Sequence, residues 1–231
     1  MVPAMIPIRH RVSGETLFSV DGNSLRGARL RGAQLRYADL VGQDLTGADL
    51  AGAELTQADL TDAVLADCDL SRVDFAGSVL PRCDLSRSWL AEAKLLYVDA
   101  TGCQLDRSRL GRALLEGSSF AGASMRGADL VSADLTRCTI AGADLTGSDL
   151  SYARLHGTVA RETRFDDCIL FQVDATDADF ENASFARAEW TRGNLNGANL
   201  ARTDWTDVRL GRTIFLGVRG SESARGLAAL R

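Results

Sequence analysis

Two histidines, His10 and His156, and five cysteines, Cys68, Cys83, Cys103, Cys138 and Cys168, are the residues of this 231-residue chain best suited to nucleophilic, acid–base or metal chemistry. A Ser-His-Asp or Cys-His arrangement needs a histidine within reach of a nucleophile and of an orienting acid. Neither histidine has a cysteine near it in sequence, and the cysteines form no C-x-x-C pair of the kind that binds zinc or cycles redox equivalents. The glycines are scattered singly, without the strand-to-helix run that cradles a phosphate. Asn182-Ala183-Ser184 matches a glycosylation acceptor only as one more copy of a local pattern. The expectation is a protein that is not an enzyme and carries no cofactor or metal.

What positions these residues is a five-residue period. From Leu25 to Phe215 every fifth residue is apolar, 39 positions in one phase, of which 26 are Leu, 6 Phe and 2 Trp. Two residues before each of these centres stands a small residue: 36 of the 39 are Ala, Cys, Ser, Val or Thr, and all five cysteines fall here. The stretch Ala48-Asp49-Leu50-Ala51-Gly52-Ala53-Glu54-Leu55 carries the pattern. On a helix five residues advance about 500°, so successive centres would circle the cylinder. A strand needs strict alternation, which a period of five also denies. A short extended piece followed by a turn fits, with centre and small residue on the same inward side. Gly, Asp, Asn, Arg or Gln two after the centre marks the turn, as at Gly42, Gly47 and Gly52. Cysteine at the small position reads as a small buried hydrophobe.

Volumes support the inward assignment. The undersized centres Ala100 and Ala175 are preceded by the larger Val98 and Val173, whereas Phe180, Phe185, Trp190 and Trp205 coincide with Ala178, Ala183, Ala188 and Gly193. Close-packed interiors require such exchange. Leu50, Phe75, Phe185, Trp190 and Trp205 are therefore core candidates.

A small residue, Asn or Asp, Leu or Phe and then two turn residues resembles the motif of the pentapeptide-repeat family, over residues 23–217. The resemblance implies an all-β fold: a right-handed quadrilateral β-helix, about ten uninterrupted coils of four pentads each. At about 4.8 Å per coil the rod is about 47 Å long. No insertion breaks the repeat, so the projecting loops of several family members are absent. Residues 1–22 alternate like a β-hairpin and read as an N-terminal cap over an otherwise open end. Residues 218–231 form a C-terminal tail, with Leu227 and Leu230 on one side of a short helix. Family members of the topoisomerase-binding type join two rods through such segments, so the oligomer expected is a monomer or an end-to-end homodimer. Asp49 with Asp69, and Asp129 with Asp149, lie one coil apart, but the glycine-rich nonapeptide of calcium-binding solenoids is missing. No apolar run spans a membrane and no secretory leader is evident, so a cytoplasmic protein is expected.

Function is then sought on the outer surface. The net charge is −5, Lys94 is the only lysine, and no Lys or Arg occurs from Tyr37 to Ser71. That stretch carries Asp39, Asp44, Asp49, Glu54, Asp59, Asp62, Asp67 and Asp69, a candidate acidic band on all four sides. Assigned by its centres, the face of Leu40, Leu60 and Leu80 carries a net −4, and the face of Leu30, Leu50 and Leu70 a net +2. Outward Leu96, Tyr97 and Leu114 on one face, and Trp89 on the basic one, make a candidate apolar partner patch. The resemblance implies a DNA-mimicking protein that binds DNA gyrase or topoisomerase IV, without touching nucleic acid itself, and protects it from antibiotics. The alternative is an interaction scaffold with an unrelated protein partner.

Overall fold

The structure, a computed structural model, describes residues 5–230 for the backbone and 5–228 for the side chains, so the first four residues of the cap and the Leu230 side chain lie outside it. From Arg29 onward, residues twenty apart pair in parallel: Arg29 with Asp49, Asp49 with Asp69, Gln34 with Glu54, Asp39 with Asp59, Asp44 with Val64. Four pairs per twenty residues define a square coil. The chain is a right-handed β-helix with almost no helical content.

A pentad with Asp before its centre accounts for all five of its N–H groups, as burial of backbone requires. In the pentad of Leu50, the small residue Ala48 donates to Leu45 O at 2.8 Å, closing the preceding turn. Asp49 N reaches back one coil to Ala28 O, while Leu50 N and Gly52 N reach forward to Asp69 O and Ser71 O. Ala51 N, the remaining donor, meets the Asp49 carboxylate at 3.2 Å. The second residue after the centre is left-handed throughout, as a turn with φ > 0 at its third residue demands. Gly52 (φ 66) adopts this freely, and Arg82, Arg87 and Asp62 (φ 56–58) do so as unbranched side chains. Pro81 occupies the one turn position whose N–H the ladder does not use; the residue two before it is Val79, which has no carboxylate to offer.

The centres and small positions fuse into one continuous core, with Leu50, Phe75, Phe185 and Trp190 at 0% exposure and Trp205 at 1%. Toward the C-terminal end the core turns aromatic: Phe165 stacks on Phe185 at 5.0 Å, and Trp205 lies tilted against Phe185 at 4.8 Å. Gly193 belongs to this cluster, because a Cβ there would lie 2.1 Å from Trp190 Nε1. The missing side chain is the space the indole fills.

Both ends are covered. β1 (Met5–His10) and β2 (Thr16–Asp21) form the hairpin, and β1 also pairs antiparallel with β3 (Ala38–Asp39). The cap thus hydrogen-bonds to the open edge of the first coil as well as packing Ile8 into its end. His10 Nδ1 accepts the N–H groups of Val12 and Ser13 and so holds the hairpin turn. At the other end β4 (Ile169–Phe171), β5 (Glu189–Thr191) and β6 (Arg209–Gly211) form a parallel sheet. The ladder runs past residue 217: Arg219 pairs with Asn199, and Arg225 with Asp204. The second pair is 21 residues apart instead of twenty, the extra residue being absorbed by a 3-10 turn at Ser221–Ser223. A second 3-10 turn, Leu227–Leu230, buries Leu227. The tail is therefore a partial extra coil with two 3-10 turns, in place of one short helix.

Candidate functional site on the rod surface

The carboxylates before the centres are first of all structural. Asp39, Asp44, Asp49, Asp59 and Asp69 each accept the N–H two residues on, and Asp44 and Asp59 also take the hydroxyl of Thr46 and Thr61. Asn194 and Asn199 make the same bond without charge. Where Ser124 occupies this position, Asp106 of the preceding coil bonds both Ser124 and Arg126 N. The cap, not the charge, is what the turn needs. Asp59→Ala should cost about 1–2 kcal/mol in urea unfolding and Asp59→Asn less than half of that; equal losses would show that the charge matters to the fold.

Arginines from flanking coils reach into the acidic band. Arg26 meets Asp44 at 2.5 Å, and Arg31 lies 3.0 Å from Asp49 and 3.4 Å from Asp69. Arg82 grips Asp62, and Arg87 grips Asp67, through two bonds each. The guanidiniums hold the Asp62 and Asp67 carboxyls below the usual range; at Asp44 the Thr46 bonds and Arg26 lower it to about 2. Among the described residues Asp39, Glu54 and Asp59 have no ion pair. The band expected on all four sides is thus reduced to a strip on the Leu40–Leu60 face, where Asp39 and Asp59 stack in register with Glu54 on the next face. Counting charges by residue missed this, because a long arginine neutralises a carboxylate a coil away.

The apolar candidates separate. Tyr97 is 69% exposed and lies over Gly117, whose absent Cβ would sit 2.6 Å from its ring. Leu114 is exposed on the same side and Leu96 half-buried beside it. Trp89 belongs to the neighbouring face, with Arg109 over its ring at 5.1 Å.

All five cysteines are buried free thiols. Four donate to the carbonyl of a centre in the coil before: Cys68 to Leu45, Cys103 to Leu80, Cys138 to Leu115 and Cys168 to Leu145, at 2.8–3.1 Å. Ser118, Ser148 and Thr158 do the same. Burial pushes Cys68 up to about 11, and Cys138 and Cys168 up to about 12, the reverse of what a nucleophile needs. Cys83 is raised by the neighbouring Cys103 thiol and by burial. Among the described residues no group of three or more His, Cys, Asp or Glu could hold a metal, and no helix is long and apolar enough to cross a membrane.

A rigid solenoid with its polar groups spent on its own turns is a structural and interaction protein. The chain belongs to the pentapeptide repeat family, whose model matches residues 24–62, 68–103, 103–140, 140–177, 168–204 and 176–217. Among solved structures it is similar to HetL, a pentapeptide repeat protein involved in heterocyst differentiation regulation in the cyanobacterium Nostoc sp. Strain PCC 7120. There the identity is 27% over 84% of this chain and 87% of that one, with a TM-score of 0.56. It is similar also to trypsin-treated QnrB1, a plasmid-mediated fluoroquinolone resistance protein, at 19% identity over 78% and 91% of the two chains and a TM-score of 0.40. Curated protein sequences give no match.

Proposed function

We propose that the protein is a non-catalytic binding rod of the cytoplasm whose acidic early coils occupy the DNA-binding surface of a type II topoisomerase, DNA gyrase being the partner to test, and so modulate its inhibition by antibiotics. The observation that carries this reading is the strip of Asp39, Glu54 and Asp59, without ion-pair partners among the described residues, in a stretch, Tyr37 to Ser71, that contains no Lys or Arg. A rigid negative surface competes for a basic saddle that otherwise holds phosphates. The rim pairs Arg82–Asp62 and Arg87–Asp67 are exposed and screened by solvent, so a cationic partner can exchange for them.

Because the aspartates also cap turns, charge is best removed with the cap retained. Asp39→Asn, Glu54→Gln and Asp59→Asn together should abolish any effect of micromolar protein on gyrase supercoiling or on its poisoning by a quinolone, with the β spectrum unchanged. An unaltered effect from this variant, or none from the parent protein at any salt concentration, sinks the proposal.

A second reading, a scaffold for an unrelated protein, is favoured by the exposed Tyr97 and Leu114 and accords with the regulatory role of HetL. Loss of partner binding in Tyr97→Ala with Leu114→Ser, and not in the charge variant, would select it.

A further inference from the structure

Charge is divided across the width of the rod. On three faces most arginines reach a carboxylate, as in Arg126–Asp144, Arg154–Asp134, Arg161–Asp179 and Arg187–Asp167. Only Arg36, Arg107 and Arg137 do not, among the described residues of those faces. On the fourth, with centres Leu30, Leu50 and onward, Arg72, Arg109, Arg112, Arg192, Arg209 and Arg212 all lack an ion pair among the described residues. Both cation–π contacts also lie there: Arg109 over Trp89, and Arg192 over Phe171 at 5.8 Å. This face is opposite the strip of Asp39 and Asp59, since the two are separated by two pentads of a four-pentad coil.

The features concentrate near the C-terminal end, on β4, β5 and β6. These strands are parallel and in register, Ile169 beside Glu189 beside Arg209 and Phe171 beside Thr191 beside Gly211. Tyr152 meets Phe171 edge-on at 5.3 Å, and Tyr152 and Ile169 are 51% and 45% exposed. Three cations without a carboxylate ion pair among the described residues thus stand beside an apolar cluster on this sheet. Such a combination is unlike a solvated repeat face, where charges are compensated and apolar side chains occur singly.

We propose that this sheet is a docking surface for an extended acidic protein segment with apolar residues between its carboxylates. The carboxylates would be taken by Arg192, Arg209 and Arg212, and an apolar side chain would rest on Tyr152, Phe171 and Ile169. Charge complementarity selects an anionic partner. Fixed carboxylates select a segment over a nucleic acid: Glu189 stands between Ile169 and Arg209, and Asp167 and Asp207 line the adjoining hollow with Arg187 and Arg209. A uniform phosphate backbone meets these acids at every step, whereas a polypeptide can place its charges opposite the arginines alone.

Fluorescence anisotropy with two labelled probes tests this, an alternating Glu–Phe peptide and an oligothymidylate of equal charge. The peptide is expected to bind, more weakly as salt is raised, and a Gln–Phe peptide not to bind. Arg192→Ala with Arg209→Ala should weaken the complex by about tenfold or more, through the loss of two exposed charged contacts. Arg137→Ala, on another face, should leave it unchanged, as should Asp39→Asn with Asp59→Asn, which separates this surface from the acidic one. These side chains are exposed, so circular dichroism should report intact β-helix in every variant. Absence of peptide binding, equal binding by the arginine double variant, or tighter binding of oligothymidylate overturns the proposal.

Discussion

Gly193→Ala is expected to destabilise the protein by about 3 kcal/mol, although 18 of the 39 small positions of the repeat hold alanine without strain. The added Cβ would lie 2.1 Å from Trp190 Nε1 and 2.7 Å from its Cδ1. No flexible side chain could yield there. The indole is fixed by Phe180 at 6.0 Å, Phe185 at 5.1 Å and Trp205 at 5.7 Å, so relief requires the aromatic cluster or the backbone to move. Trp190→Leu restores the residue type found at most centres and should rescue Gly193→Ala. Measured by urea unfolding, the pair should be more stable than the sum of its single changes by about 2 kcal/mol, within the range of directly contacting residues. A Gly193→Ala protein within about 0.5 kcal/mol of the parent, the ordinary range for a surface change, would show that the indole has room elsewhere.

Gly193 also marks where the sequence is legible. Because a period of five leaves no choice about which residues face inward, the centres, the small positions and the turn sites could all be read from spacing alone. The compensation of Trp190 by Gly193 could be read only as a trend, since the glycine answers the centre of the neighbouring pentad and not its own Leu195. Contacts between coils were harder. Arg82 with Asp62 and Arg87 with Asp67 follow from stacking residues twenty apart, but Arg26 with Asp44 and Arg161 with Asp179 join the residue after one centre to the residue before the centre of the next coil, at a spacing of 18. A long side chain chooses among such neighbours by geometry, which a tally of charges by face does not contain. The partial extra coil escaped notice because Gly220 stands where the next apolar centre would follow Arg219, and one inserted residue then breaks the period before Arg225. The solitary arginines opposite the acidic strip emerge only once the paired ones are removed from the count.

Alkaline pH should unfold this protein, and the cysteines should be the cause. A thiol whose folded value lies above its unfolded one stabilises the fold fully below the unfolded value, 9.0 here, and its contribution is lost as pH rises toward the folded value. Cys68 titrates at about 11 in the fold and Cys138 and Cys168 at about 12, so the loss falls between about pH 9 and pH 12. Each pH unit of difference is worth about 1.4 kcal/mol, which puts each thiol on the order of 3 kcal/mol across the window and the three together near the whole stability of an ordinary domain. The direction follows from structure: the unfolded chain ionises in water, whereas the folded one would have to place a thiolate against the carbonyl that the S–H now bonds. Serine removes the titration and keeps the bond, as Ser88 and Ser148 do in the column of Cys68 and Cys168, and Ser118 in that of Cys138. Cys68→Ser, Cys138→Ser and Cys168→Ser together should therefore leave stability at pH 8 within about 1 kcal/mol per site of the parent's. At pH 10.5 the parent should have lost on the order of 5 kcal/mol more than this variant, read from urea midpoints at the two pH values. Parallel losses in the two proteins would place the alkaline transition in groups other than these three thiols, Cys83 among them, and would mean that Cys68, Cys138 and Cys168 are no more than small hydrophobes.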